Sequence, residues 1–495
     1  MKHGRASKPH APHVELAQLR SPQLVTPAVD TLAAALERAA AHGAWIEVAR
    51  NDASPPGRTY FDVLASASHA AHVLLAQGVQ RGDRVLLMAP TSMEWLAAFF
   101  GIALAGAVAV PIGPSLAIGG IARHVETVRK IAIDSGARLM IGAPYLEAQL
   151  GSLREGTSIE RFLSIDALAG EVVDARPLPS ADPDALAVLQ YTSGTTGQPK
   201  GVMLTHRALL TNATMIGDRT AADADDVGVS WLPLFHDMGL VGALISALAY
   251  RHALLLLPVE AFLMQPRRWM NWLSRRRATM TVAPNFAYQL VAQRLSEDDA
   301  RALDLSALRC AFDGAEQVRS DTLRAFEARL SESRLPCTAL QPVYGLAENT
   351  LAATFPERGA RWRTRPRLDA IGGEVVSVGT PLAGVTVRIV DEKGAIVSAA
   401  RSGAIELLSP SLMRGYFRDE EASERALHDG WLRTGDVGFV EGGELFVTGR
   451  AKELIIKRGT NYHPDDLERV AMEAGGDDVR AVAAFGCADA SSGTE

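Results

Sequence analysis

The sequence predicts an α/β protein with a smaller β-rich part behind it. Three observations carry that reading. Short apolar runs alternate with helical segments through most of the chain. After Val376 the texture shifts to shorter strands separated by turns. The 495 residues also exceed the roughly 250–300 at which a single core stops growing, so roughly three compact units are expected.

Taken in order, the first 25 or so residues mix His, Pro, Ser and Arg without an apolar run. No signal peptide is read there, and residues 1–25 are expected to form a flexible tail. RVLLMA (84–89) reads as a buried strand, Ser92 as the cap of a helix from Met93 to about Leu104, and AVAVPI (107–112) as a second strand after the break at Gly106. From Trp95 to Ile112 no charge occurs, which reaches the about 18 residues of a membrane span. Strand, helix and strand at this spacing instead make a parallel βαβ unit, whose strands are apolar because both sheet faces are covered. No span is read. Further strands are LLLLPV (254–259), TMTVAP (279–284) and ALRCAFDG (307–314); helices cover Arg267–Leu273, Ala287–Leu295 and Ser320–Leu330. VTVRIVDEKG, GAIELL and GELFVTGR form the β-rich part, and ELIIK, a helix from about Pro464 to Ala474 and VRAVAAFG close the chain. The residues after Arg450 are too few to bury a core of their own, so this last unit reads as incomplete.

A content of 47% hydrophobic and 22% charged residues excludes a mostly disordered chain. The net charge of −7 gives no pull toward nucleic acid. The local run RWRTRPR (361–367) reads as a solvated loop, not a phosphate site. Cys310, Cys337 and Cys487 are scattered without a C-x-x-C pair, which fits a reducing, cytoplasmic setting.

The strongest chemical signal is YTSGTTGQPKG (191–201), which follows the strand-like ALAVLQ. Thr192, Ser193, Thr195 and Thr196 alternate with Gly194 and Gly197, and Lys200 closes the run. Glycines let backbone N–H groups close around phosphate oxygens, while hydroxyls and an ammonium add donors. The spacing is not that of a Walker loop. By composition alone the segment would be an ordinary surface loop; the order of its residues is far more specific.

That loop resembles the phosphate-binding signature of the adenylate-forming superfamily, which includes acyl-CoA synthetases, luciferases and peptide-synthetase adenylation domains. WLPLFHDMGL (231–240), DGAE (313–316), YGLAE (344–348), TGD (434–436) and GRAKELIIKRG (449–459) follow in that family's order. The resemblance implies a large N-terminal adenylate-forming body of two α/β subdomains plus a small β-rich subdomain over 26–450. An incomplete α+β C-terminal domain over 451–495 would follow it. WLPLFHDMGL, PNFAY (284–288) and RGTNYHPDDLE (458–468) look most like the fatty acyl-AMP ligase branch, which passes a fatty acyl group to an acyl carrier protein or polyketide synthase. That branch usually carries an insertion after YGLAE, thought to disfavour coenzyme A. Here 356–375 is short, so an acyl-CoA synthetase stays open as an alternative.

The resemblance implies ATP and Mg²⁺ as cofactors and a medium- or long-chain fatty acid as substrate. Thr192–Gly197 and Lys200 would embrace the β,γ-phosphates, and Glu348 would hold Mg²⁺. Tyr344, followed by Gly345, would stack on adenine, with Gly314, Ala315 and Glu316 lining the same ring. Asp436 would accept the ribose hydroxyls, Arg450 would reach ribose or phosphate, and His236 would stand near the α-phosphate. An ionised carboxylate attacking the α-phosphorus needs no general base, so the absence of a Ser-His-Asp arrangement is expected. Apolar stretches at Met238–Leu248 and Phe286–Leu290 are where the family builds its acyl tunnel.

Singly, each residue has a plainer reading. Glu348 could complement a helix dipole, Asp436 could serve a turn, His236 could be a surface histidine and Tyr344 could be core. Their ordered company favours the functional reading. Family members also carry a late lysine in a G-K context. After Arg450 this chain has only Lys452 and Lys457, neither after a glycine, with Lys452 at the family's hinge position. The expectation is therefore a truncated chain, slow in chemistry, with a non-catalytic nucleotide-binding module as the remaining alternative.

Overall fold

The computed structural model describes residues 16–49, 57–114, 121–168, 170, 177–192, 198–366 and 373–453, with scattered positions between 455 and 485. Three sheets organise it, two mainly parallel and one antiparallel. The first runs, edge to edge, Arg161–Ser164, Leu139–Gly142, Arg84–Met88, Val108–Pro111, Leu186–Thr192 and Lys200–Thr205. Its pairings are parallel except the last, where Leu186–Thr192 turns back on Lys200–Thr205.

The βαβ unit read from the sequence is present. Its helix is Met93–Leu104, and the Ser92 side chain accepts from Trp95 N at 3.1 Å, satisfying one of the free donors of the first turn. Arg84–Met88 then pairs in parallel with Val108–Pro111. All of Trp95–Leu104 is buried inside protein. Among the described residues no helix is long and apolar enough to cross a membrane.

The second sheet runs Leu340–Pro342, Cys310–Asp313, Met280–Ala283, Val227–Ser230, Ala253–Leu256, Trp45–Val48 and Arg58–Thr59, parallel save for its last pair. The third, antiparallel sheet joins Gln18–Arg20, Thr386–Val390, Gly403–Leu408 and Trp431–Glu441, with Glu444–Arg450 on the last of these. The two α/β subdomains and the β-rich one are thus all present.

Two expectations need correction. Residues 16–25 are not all tail: Gln18–Arg20 adds a strand to Thr386–Val390, and Ala17 is fully buried. A short polar strand at a sheet edge gives no apolar alternation to read. The basic run is solvated as expected, its Arg361, Arg363 and Arg365 side chains 40–60% exposed, but it is not all loop. Thr364–Pro366 pairs with Glu374–Val376, Arg361 meets Glu327 at 3.0 Å, Arg365 meets Glu441 at 2.7 Å, and Arg363 bonds Glu444. These charges were unreadable because their partners lie on distant segments.

Of the C-terminal expectations, the strand at ELIIK is seen as Ile455–Lys457, paired with Thr460–Tyr462. The helix and strand expected beyond Pro464 fall mainly outside the described residues, as does Cys487. Cys310 is buried and Cys337 exposed, both as free thiols.

Candidate active site

The strands on either side of the glycine- and hydroxyl-rich segment, Leu186–Thr192 and Lys200–Thr205, pair antiparallel. Thr192 and Lys200 stand opposite each other in register, so both ends of the loop are fixed by the sheet. Ser193, Gly194, Thr195, Thr196 and Gly197 lie outside the described residues. The Lys200 ammonium lies 4.7 Å from the centre of the Tyr416 ring and 3.7 Å from Asp419 Oδ2.

Glu348 sits in a short 3₁₀ turn, Ala347–Asn349, that the protein holds from several sides. Its carbonyl accepts from Met413 N at 2.8 Å, and its carboxylate accepts from the Tyr416 hydroxyl at 2.8 Å. Two residues on, Thr350 is buried at φ +68°, a strained conformation for a β-branched residue. Its hydroxyl bonds Ser411 O at 2.6 Å, one of the contacts that hold it there. Underneath, the fully buried Asn212 accepts from Ala352 N at 3.0 Å and presents its amide nitrogen to Ala352 O at 2.9 Å, Asn349 O at 3.1 Å and Ser411 Oγ at 2.9 Å. Helix His206–Thr220 thereby fastens both the Glu348 turn and the segment leading to Tyr416.

Tyr344 and Asp436 meet across 2.6 Å, the phenol donating to Oδ2. Asp436 Oδ1 lies 3.4 Å from Arg450 Nε, because the two residues face each other in the hairpin of Trp431–Glu441 and Glu444–Arg450. Burial pushes the Asp436 carboxyl up, while Tyr344 and Arg450 pull it back toward the ionised form. Burial and the neighbouring Asp436 hold the Tyr344 phenol well above its usual value, so it stays a donor. Gly345 admits no side chain: a Cβ there would lie 1.8 Å from Leu351 O.

His236 is exposed on the loop before a π-helix, Met238–Ile245, a rare element frequent at functional sites. Gln190 anchors that loop by donating to Phe235 O at 2.7 Å. Asp237 Oδ1 accepts from Met238 N at 2.7 Å, and desolvation raises its carboxyl against the pull of His236.

A cavity of about 910 Å³ brings these parts together. Thr192, Lys200, His236, Ala315, Tyr344, Gly345, Glu348 and Arg450 all line it. Gly314 lies behind that wall, packed so closely that a Cβ would touch Val343. Asp436 reaches the site through Tyr344 and Arg450. Glu316 is engaged locally, accepting from Phe286 N at 2.5 Å. Of the two apolar stretches, Met238–Leu248 contributes to the cavity wall through Met238 and Gly242, with Ala243 and Ser246 on a smaller cavity beside it. Phe286–Leu290 lines neither cavity: Tyr288 is core, packed on Trp269 and Phe326 and bonded to Phe312 O.

Tyr416, Gln190 and Asn212 escaped sequence reading. Asn212 left a signal, a polar residue within the mostly buried run ALLTNATMIG; Tyr416 and Gln190 left none outside the fold.

No cluster of three or more His, Cys, Asp or Glu is placed to cage a metal among the described residues. A cation here would rest on the Glu348 carboxylate and on phosphate oxygens, the arrangement Mg²⁺ prefers.

A family model described as AMP-binding enzyme matches residues 36–417. A 4-hydroxyphenylalkanoate adenylyltransferase of Mycobacterium tuberculosis is 34% identical over 441 residues, spanning 81% of this chain and 70% of that protein. The medium-chain-fatty-acid–[acyl-carrier-protein] ligase JamA of Moorena producens is 34% identical over 435 residues, spanning 82% and 73%. Among solved structures, a fatty acyl-adenylate ligase from work on E. coli and L. pneumophila enzymes superposes with a TM-score of 0.85 at 32% identity, covering 90% of this chain and 84% of that one. With Lys200, the Glu348 turn, Tyr344 and Arg450 on one cavity and Asp436 joining the last two, this chain belongs to the AMP-binding enzyme family.

Proposed function

We propose that this protein activates a medium- or long-chain fatty acid with ATP, forming an acyl-adenylate and releasing pyrophosphate. The observation that carries the reading is the convergence of Lys200, His236, Glu348 and Arg450 on one cavity that also holds Tyr344. The reactants are anionic, so the site must screen charge and hold the carboxylate in line with the α-phosphorus. In this reading Lys200 and the loop before it hold the leaving phosphates, and Glu348 with Mg²⁺ bridges them. Tyr344 supports adenine, and Asp436 accepts the ribose hydroxyls. His236 and Arg450 reach the reacting end. Carboxylate-dependent ATP–pyrophosphate exchange tests this; a chain that binds ATP yet exchanges with no fatty acid would be a binding module instead.

The acceptor is proposed to be a phosphopantetheinyl acyl carrier protein or a polyketide synthase. The relative named as an acyl-carrier-protein ligase supports this choice. Offering the enzyme a carrier protein and free coenzyme A in parallel decides it: acyl transfer to coenzyme A at an equal or higher rate would make it an acyl-CoA synthetase. We further propose that it works in the cytoplasm, where ATP and carrier proteins are available; fractionation of cells checks this.

A further inference from the structure

Beside the main cavity lies a narrow second one of about 30 Å³, room for a small terminal group. Ile216, Gly242, Val282 and Phe312 belong to the walls of both, whereas Lys200 and Glu348 line only the outer one. The inner cavity is therefore set beyond the reacting end, where the tail of a bound acid would point.

Tyr250 and His252 line this inner cavity and not the outer one. Tyr250 lies against helix His206–Thr220 because residue 217 is glycine; a Cβ there would sit 1.9 Å from the ring. That approach lets the Tyr250 hydroxyl donate to Thr214 O at 2.9 Å. Thr220 likewise donates to Ile216 O of its own helix at 3.0 Å, and Ser246 to Val241 O of the π-helix before it at 2.9 Å.

His252 differs from these. It is 4% exposed, and its Nδ1 lies 3.0 Å from Ala253 O, so Nδ1 carries the hydrogen and Nε2 is left as an acceptor. Among the described residues Nε2 has no hydrogen-bond partner. Burial also keeps the ring neutral by lowering its pKa. Among the described residues no Asp, Glu, Lys or Arg lines this cavity, so it is built for neither a second carboxylate nor an ammonium. Ser230, on the same wall, accepts from Leu232 N at 3.1 Å and has its own hydrogen to offer. A hydroxyl is a neutral group small enough for about 30 Å³ that can donate to Nε2 and accept from Ser230 at once.

We propose that the acid taken by this site bears a hydroxyl at its far end, which donates to His252 Nε2 in the inner cavity. The inference rests on the acid-activating reading above. The hydroxyl can be that of an aliphatic alcohol or of a phenol, and the test separates the two.

Exchange kcat/KM is measured on the full chain with octanoic to hexadecanoic acids against their ω-hydroxy counterparts, and with phenylalkanoic against 4-hydroxyphenylalkanoic acids. One hydroxylated series is expected to exceed its plain partner by about tenfold or more at its best length, because the plain tail leaves buried polar groups unmatched. In His252→Leu that ratio is expected to fall to about one or below. The ratio is internal to each preparation, so partial misfolding of the variant does not affect it. Equal or better turnover of the plain acids in both series overturns the proposal, as does an unchanged ratio in His252→Leu. If no acid of any series supports exchange, the acid-activating reading falls and this inference with it.

Discussion

The Tyr416 hydroxyl donates to Glu348 Oε1 across 2.8 Å while its ring carries the Lys200 ammonium at 4.7 Å. One side chain thus sets the position of two charges that the reaction brings against phosphate. Tyr416→Phe keeps the ring and loses the hydrogen bond. It is expected to lower exchange kcat about tenfold, the equivalent of one hydrogen bond to a charged group, with fatty-acid KM little changed. Tyr416→Leu, which also removes the cation–π contact, is expected to lower it further. Equal activity of Tyr416→Phe and the unaltered protein would remove Tyr416 from this role.

Asp436 holds both Tyr344 and Arg450, so its loss frees the adenine platform as well as the ribose acceptor. Asp436→Ala is expected to weaken ATP binding by about 2–4 kcal/mol in calorimetry. Tyr344→Phe, which keeps a ring for stacking, is expected to lose less. An ATP affinity for Asp436→Ala within twofold of the unaltered protein would exclude the ribose role.

Asn212 serves stability and the Glu348 turn at once. Asn212→Leu leaves Ala352 N without its buried partner, at an expected cost of about 2–4 kcal/mol in denaturant unfolding. The same variant should lose exchange activity under conditions where it remains folded. A loss below about 0.5 kcal/mol would show that the hub is dispensable.

Acid should destabilise the fold through His206. This buried ring accepts from Leu32 N at Nδ1, and burial lowers its pKa to about 4 from 6.5. Below pH 6.5 the unfolded chain takes up a proton that the folded ring refuses, so stability falls as pH drops from 6.5 to 4 and is fully retained above it. The full loss is about 3 kcal/mol. His206→Asn should flatten unfolding free energy across that window. An equally steep pH dependence in the variant would assign it to other groups.

Free amino acids should not be activated. LVGALISALAY (240–250) carries no charge, and among the described residues the inner cavity beside it has no carboxylate to meet an ammonium. Exchange faster with any amino acid than with medium- or long-chain fatty acids would contradict this reading of the pocket.

Local chemistry made much of this protein legible. Ser92 and the apolar runs around it specify the βαβ unit without reference to anything distant, because caps and sheet periodicity act within a few residues. The ordered motifs named Lys200, Glu348, Tyr344, Asp436 and Arg450 for the same reason: each sits in a short segment whose residue order is distinctive. What joins those segments lies beyond local reach. Tyr416 bonds Glu348 from 68 residues away, Asn212 reaches Asn349 across 137, and Gln18–Arg20 finds its sheet partner in Thr386–Val390. Hydrogen bonds and close packing between such segments exist only once the subdomains dock. The sequence by itself therefore determined which chemical groups the protein has and the local frame that displays each one. The tertiary structure alone decided which of them meet: Lys200 over Tyr416, Tyr344 on Asp436, and His252 with Ser230 on the inner cavity.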